Sequence, residues 1–217
     1  MMKFILGKKI GMSRVFQGKK AIPVTLVLAG PCQVAQVKKS DKDGYQAVQL
    51  SWGERKKITK PIAGHLKKAK LKSTRYLREF HVDSESSYEP GQEITVAIFK
   101  PGDQARVTAV SKGKGFTGVV KRHGFAGSPK THGHRHDERA PGSIGAGFPE
   151  HVFKGVKMAG RSGHTQISIK NLTVVEVDPE KNLLVLRGSL PGPRNTFIEI
   201  QAADTASSED DKVKDKS

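Results

Sequence analysis

The sequence predicts a mainly β protein: a strand-rich body, barrel or sandwich, with one or two short helices and a long, largely irregular extension. Three observations predict it. Short β-branched runs recur between turn residues on both flanks of the chain, only one segment has helical spacing, and the glycine-rich stretch 112–163 keeps neither period 2 nor period 3.6. At 217 residues the chain is long enough for one sizeable core.

Taken in order, "KAIPVTLVLAG" is β-branched, short and bounded by glycine, which favours a strand over a helix. "QVAQVKK" and "YQAVQLSW" flank Asp41-Lys42-Asp43-Gly44 as the arms of a hairpin. A second pair, "EITVAIF" and "QARVTAVS", flanks Lys100-Pro101-Gly102-Asp103, and "TQISIKNLTVVEV", "NLLVLRG" and "TFIEIQ" form a third set. Between the first two pairs, "IAGHLKKAKL" after Pro61 sets Ile62, Leu66 and Ala69 near one face of a basic amphipathic helix. The expected organisation is a body of residues 1–111 and 162–203 with a basic helical insert at about 61–80. An extension occupies 112–161, and a disordered charged tail occupies 204–217.

Charge is concentrated. The formal net charge is +17. Between Gly53 and Arg78, ten basic residues face only Glu54; between Lys112 and Arg161, ten more face Asp137, Glu138 and Glu150. Such windows imply a polyanion as partner, with nucleic acid first. Cys32 is the only cysteine, so no intrachain disulfide framework is available, and its apolar neighbours suit a small buried residue. "MMKFIL" is too short for a secretory apolar region, and no apolar run reaches membrane-spanning length, which predicts a cytoplasmic protein without a membrane partner.

Gly113, Gly115 and Gly118 in "SKGKGFTGVVKRHGF" spell G-x-G-x-x-G. A dinucleotide site also needs a helix opening at the last glycine, and only "VVKRH" intervenes before Gly124, so no such helix is expected. Val119 and Val120 stand where a P-loop needs Lys and Ser or Thr. Bare backbone beside Lys112, Lys114, Lys121 and Arg122 instead suits the backbone of an RNA, with Phe116 and Phe125 as possible stacking partners for bases. On an extended chain His132, His134 and His136 would share a face near Asp137, but Arg135 and Arg139 oppose a cation; these groups suit RNA better than a metal. No paired acid and base or G-x-S-x-G elbow is present, so neither an enzyme, a cofactor nor a small-molecule substrate is expected.

"ILGKKIGMSRVF", "AIPVTLVLAGPC", "DGYQAVQL", "SKGKGFTGVVKRHGF", "RAPGSIG", "VFKGVKMAGRSGH" and "NLLVLRGSLPGP" occur in the order that resembles the universal large-subunit ribosomal protein L3 family, in its bacterial form. The resemblance runs from about Ile5 to Pro193. It implies a closed β-barrel body of the translation-protein type and a long loop that reaches towards the peptidyl transferase centre. It also implies direct binding to large-subunit ribosomal RNA near its 3′ end, a part in early subunit assembly, and large-subunit proteins fourteen and nineteen as neighbours in the cytoplasmic ribosome. Carried onto this chain, Lys112, Lys114, Lys121, Arg122 and His123 lie at the loop's root. His132, His134, Arg135, His136, Arg139 and Ser143 lead towards its tip, Lys154, Lys157 and Arg161 return from it, and Lys67, Lys68 and Lys70 of the helix join the RNA contacts. The glutamine that many members carry near the tip, methylated on its amide, is absent from "AGFPEHV", so the resemblance implies no such modification here. His123 stands where an aromatic residue often follows the Lys-Arg pair.

Overall fold

A computed structural model of the chain describes residues 3–71, 73–82 and 88–202; the charged tail at 204–217 lies outside them. The described residues separate into two units, one of residues 3–110 and 166–202 and one of residues 111–165.

The first unit is built from β1 (Phe4–Gln17), β2 (Lys20–Ala29), β3 (Cys32–Lys38), α1 (Ser40–Asp43), β4 (Ala47–Trp52), α2 (Lys60–Lys68), β5 (Tyr76–His81), β6 (Glu93–Ile94) and β7 (Gln104–Val110). The second unit holds β8 (Phe116–Thr117), α3 (Val119–His123) and β9 (Gly160–Arg161). The chain then returns to the first as β10 (Gln166–Asp178), β11 (Leu183–Arg187) and β12 (Phe197–Ala202). Mainly β is therefore the observed class. Six strands hydrogen-bond in the order β1-β12-β7-β10-β11-β2, and β2 pairs back onto β1 to close the ring. A four-stranded sheet, β5-β4-β3-β6, forms beside it in the same unit.

Period-2 patterning explains the ring's interior. Ala105, Val107 and Ala109 of β7 are buried while Gln104, Arg106 and Val110 are exposed. Ile198 and Ile200 of β12 lie directly opposite Ala109 and Val107, so large side chains meet small ones across the ladder. Phe4 of β1 stacks on Phe80 of β5 at 4.7 Å, which joins the ring's core to that of the four-stranded sheet. Cys32 is fully buried, and burial pushes its thiol up to about 12 against the opposing Leu6 N–H; it is no nucleophile at neutral pH.

Several expectations change. The pair "EITVAIF" and "QARVTAVS" is not a hairpin: Glu93 and Ile94 pair with Gln33 and Cys32, while Val96–Ile98 forms a 3-10 turn. The turn at Lys100–Asp103 forms, but Gly102 N–H donates to Val174 O and Val174 N–H donates to Asp103 O, so the turn is tied to β10. The helical insert ends at Lys68, because Lys70 has φ 58; the rest of the 61–80 span includes the start of strand β5, which pairs with β4. Among the described residues three α-helices are present rather than one or two, α1 and α3 being single turns closed by left-handed Gly44 and Gly124.

Two depressed carboxylates give the fold an acid limit. Burial alone would raise Glu79, but hydrogen bonds from Lys38, Tyr45 and Gln49 hold it below the usual carboxylate range. Asp103 is similarly held down against burial by Lys3, at 2.6 Å, and by the Lys100 N–H. A folded pKa below the unfolded one stabilises fully above the ordinary values of 4.5 and 3.8, and this stabilisation disappears as pH falls through the depressed values. Urea midpoints are expected to fall between pH 5 and pH 3, and Glu79→Gln to be less stable than the parent at pH 6 but not at pH 3. A gap that is constant with pH would remove Glu79 from this account.

Candidate nucleic-acid interface

The second unit is closed at its base by backbone pairing. Ser111 N–H donates to Thr165 O, Lys114 N–H to Ser162 O and Ser162 N–H to Gly115 O, each at 2.9 Å. Phe116 and Thr117 then pair with Arg161 and Gly160. This approach depends on Gly163, whose φ is +69 and whose absent Cβ would lie 2.2 Å from Lys112 O.

Beyond β8 the chain makes the single turn of α3. Its basic face is partly used internally: Arg122 Nη1 donates to Met158 O at 2.7 Å, and His123 Nε2 reaches the same carbonyl at 3.0 Å. A carbonyl only accepts, so that imidazole carries its proton on Nε2. Gly160 makes room for the guanidinium, because a Cβ there would sit 2.6 Å from Arg122 Nη1. Ser128 N–H donates to Glu138 O, and Asp137 N–H to His134 O, which folds 128–138 into turns.

Past this point the unit has little of its own to hold it. Within Ser111–Thr165, Val119 is the one buried hydrophobic residue among the described residues. Among the described residues no helix or strand falls within residues 141–159, and apart from side-chain contacts at the Gly145, Pro149 and Met158 backbone most of their N–H and C=O groups are left to water or a partner. Phe148 is 86% exposed, Phe116 80% and Phe153 62%. Ten Lys and Arg accompany three acids, and no ion pair forms within the unit among the described residues.

Lys112, Lys114, Lys121, Arg122, His132, Arg135, His136, Arg139, Ser143, Lys154, Lys157 and Arg161 are all exposed, and His123 and His134 are half-buried. The stem gathers Lys112, Lys114 and Arg161. Arg122 and His123 are committed to Met158, and the Ser143 hydroxyl donates to Gly145 O at 2.8 Å. In the other unit, Lys67, Lys68 and Lys70 are exposed, while Leu66 and Ala69 are buried and His65 bonds Gln49 at 2.6 Å. Phe148 and Phe153 escaped the reading of the sequence. Their signal was apolar residues isolated among Gly, Pro and His with no period to give them a core.

A helix does open after Gly118, contrary to expectation, since Gly118 is extended and Gly124 left-handed at its two ends. It spans five residues, and every strand pairing among the described residues is antiparallel, so the parallel βαβ unit of a dinucleotide site does not form. His132, with φ 62, and the turns through 131–139 break the extended run that would align His132, His134 and His136. Among the described residues no group of three or more His, Cys, Asp or Glu could hold a metal, and no helix is long and apolar enough to cross a membrane. What the unit offers is accessible backbone, cations and uncovered aromatic rings, which together match phosphates and unstacked bases.

Comparison with known proteins gives the same direction. Residues 84–182 match the family model described as Ribosomal protein L3. The chain is 50% identical over 206 residues to the large ribosomal subunit protein uL3 of Carboxydothermus hydrogenoformans, covering 94% of this chain and 98% of that protein. It is 52% identical over 203 residues to uL3 of Chloroflexus aurantiacus (92% and 97% covered) and 48% identical over 203 residues to uL3 of Thermotoga petrophila (93% and 98%).

Proposed function

We propose, from the premise that the chain belongs to the ribosomal protein L3 family, that it is a structural component of the large ribosomal subunit that binds large-subunit ribosomal RNA directly. It is a member of a structural family and not an enzyme. The observation that carries the RNA reading is the unit Ser111–Thr165, which among the described residues has one buried hydrophobic residue and ten cations without an ion pair. A segment of that composition gains its order from a partner, and a polyanion matches its charge.

In this reading the ring is the barrel of the translation-protein type and docks on RNA near the 3′ end together with Lys67, Lys68 and Lys70 of the α2 region. Residues 112–161 thread between RNA segments towards the peptidyl transferase centre, with Phe116, Phe148 and Phe153 available to bases. Early binding of this kind would nucleate subunit assembly in the cytoplasm, beside large-subunit proteins fourteen and nineteen.

Neutralising about ten phosphates gives log affinity a salt slope of roughly −7 to −9. The chain should therefore bind a transcript of the 3′ region of large-subunit ribosomal RNA with a steep salt dependence, and should stay with large subunits through a high-salt wash once assembled. Affinity that is flat between low and moderate salt, or loss from the subunit fraction, overturns the reading.

A further inference from the structure

The β1–β2 hairpin carries a surface that neither the extension nor α2 explains. Beyond Lys9, β1 has left β12, and β2 meets β11 only from Val24 onward, so residues 14–17 and 20–23 have only each other as strand partners, and residues 11–13 pair with β2 alone. Directly opposite residues share a face of such a ribbon. Arg14 therefore lies beside Pro23 and Phe16 beside Ala21, and Met12 follows on the same face by period 2. The small partners leave the larger side chains uncovered: Phe16 is 69% exposed and Met12 52%, and Arg14 is exposed as well. Lys19 and Lys20 stand exposed at the turn, and the Arg194 guanidinium comes within 3.9 Å of where a Cβ on Gly11 would be.

From Phe4 to Ala29 the sequence contains no Asp or Glu. An apolar strip bordered by cations and free of acids fits a ligand that pairs negative charge with flat apolar faces. A second copy of this chain, itself at +17, is repelled. We infer that the ribbon is a separate docking element for an unpaired segment of ribosomal RNA, with phosphates on Arg14, Lys19, Lys20 and Arg194 and a base against Phe16 and Met12. The inference rests on the ribosomal RNA reading above but on different residues.

The test uses the full chain. With p-benzoylphenylalanine in place of Phe16, illumination of assembled large subunits is expected to yield covalent RNA adducts that map to one segment. Adducts with protein alone, whether a neighbouring subunit protein or a second copy, overturn the inference. In parallel, the triple variant Arg14→Gln, Lys19→Gln, Lys20→Gln should reduce the salt slope for the same transcript by about two, and Phe16→Ala should weaken binding about tenfold. Both variants should keep the parent's melting temperature. An unchanged slope in the triple variant, beside a changed slope when the extension's cations are removed, sinks the ribbon and leaves the proposed function standing.

Discussion

Replacing Lys112, Lys114, Lys121, Lys154, Lys157 and Arg161 together by glutamine is expected to cut the salt slope of ribosomal RNA binding by about four to five. That is the contribution of six phosphate contacts at roughly 0.7 to 0.9 each. These side chains are exposed and make no ion pair among the described residues, so their removal takes nothing from the folded chain beyond surface charge. Thermal stability should hold within about 0.5 kcal/mol. Filter binding at several salt concentrations, with a melt of each protein, separates the two quantities. A weaker affinity with an unchanged slope would mean that these cations do not sit on phosphates. Arg122 is left out because its guanidinium holds the Met158 carbonyl at 2.7 Å. Arg122→Gln should instead loosen the contact between α3 and the returning chain, and much of its effect on binding would come through the protein's own order.

The sequence exposed the mainly β class and the boundary between patterned and unpatterned chain, because both depend on local properties. Period-2 alternation in "QARVTAV" and "FIEIQA" is visible without knowing the partner strand, and the absence of any period in residues 141–159 is equally local. Partner choice is not. "EITVAIF" looked like the arm of a hairpin, yet Ile94, Val96 and Phe99 are all buried, and that run divides between a two-residue strand and a 3-10 turn. β1 was not read as a strand at all, since Gly7, Lys8, Lys9 and Gly11 break its apolar pattern; Lys9 is nonetheless buried, with Nζ donating to Leu190 O at 2.8 Å. In the candidate interface the residue types were legible and their commitments were not. Arg122 and His123 read as free basic groups until the return of the chain placed Met158 between them, a contact across 35 and 36 positions.

Gly163→Ala is expected to open the base of the second unit, while Gly113→Ala and Gly118→Ala, within the G-x-G-x-x-G pattern, leave it closed. At Gly163 an added Cβ meets Lys112 O at 2.2 Å and Gly113 Cα at 3.2 Å, with φ at +69. The obstacle is backbone and cannot rotate away, and the left-handed conformation alone costs an alanine about 1–2 kcal/mol. Together they should remove about 2 kcal/mol or more from the closed stem. At Gly113 the nearest atom is His164 Cβ at 3.7 Å, and around Gly118 the space is open. Hydrogen exchange at the Lys114 and Ser162 amides, which bond across the stem at 2.9 Å, reads the difference directly: protection lost in Gly163→Ala and kept in the other two. RNA binding should then weaken in Gly163→Ala with its salt slope intact, because every cation remains and only the cost of ordering the segment has risen. A slope that fell with the affinity would mean that the stem itself positions phosphates. Retained protection in Gly163→Ala would mean that the chain shifts to accommodate the methyl group, and that closure at the base does not depend on this glycine.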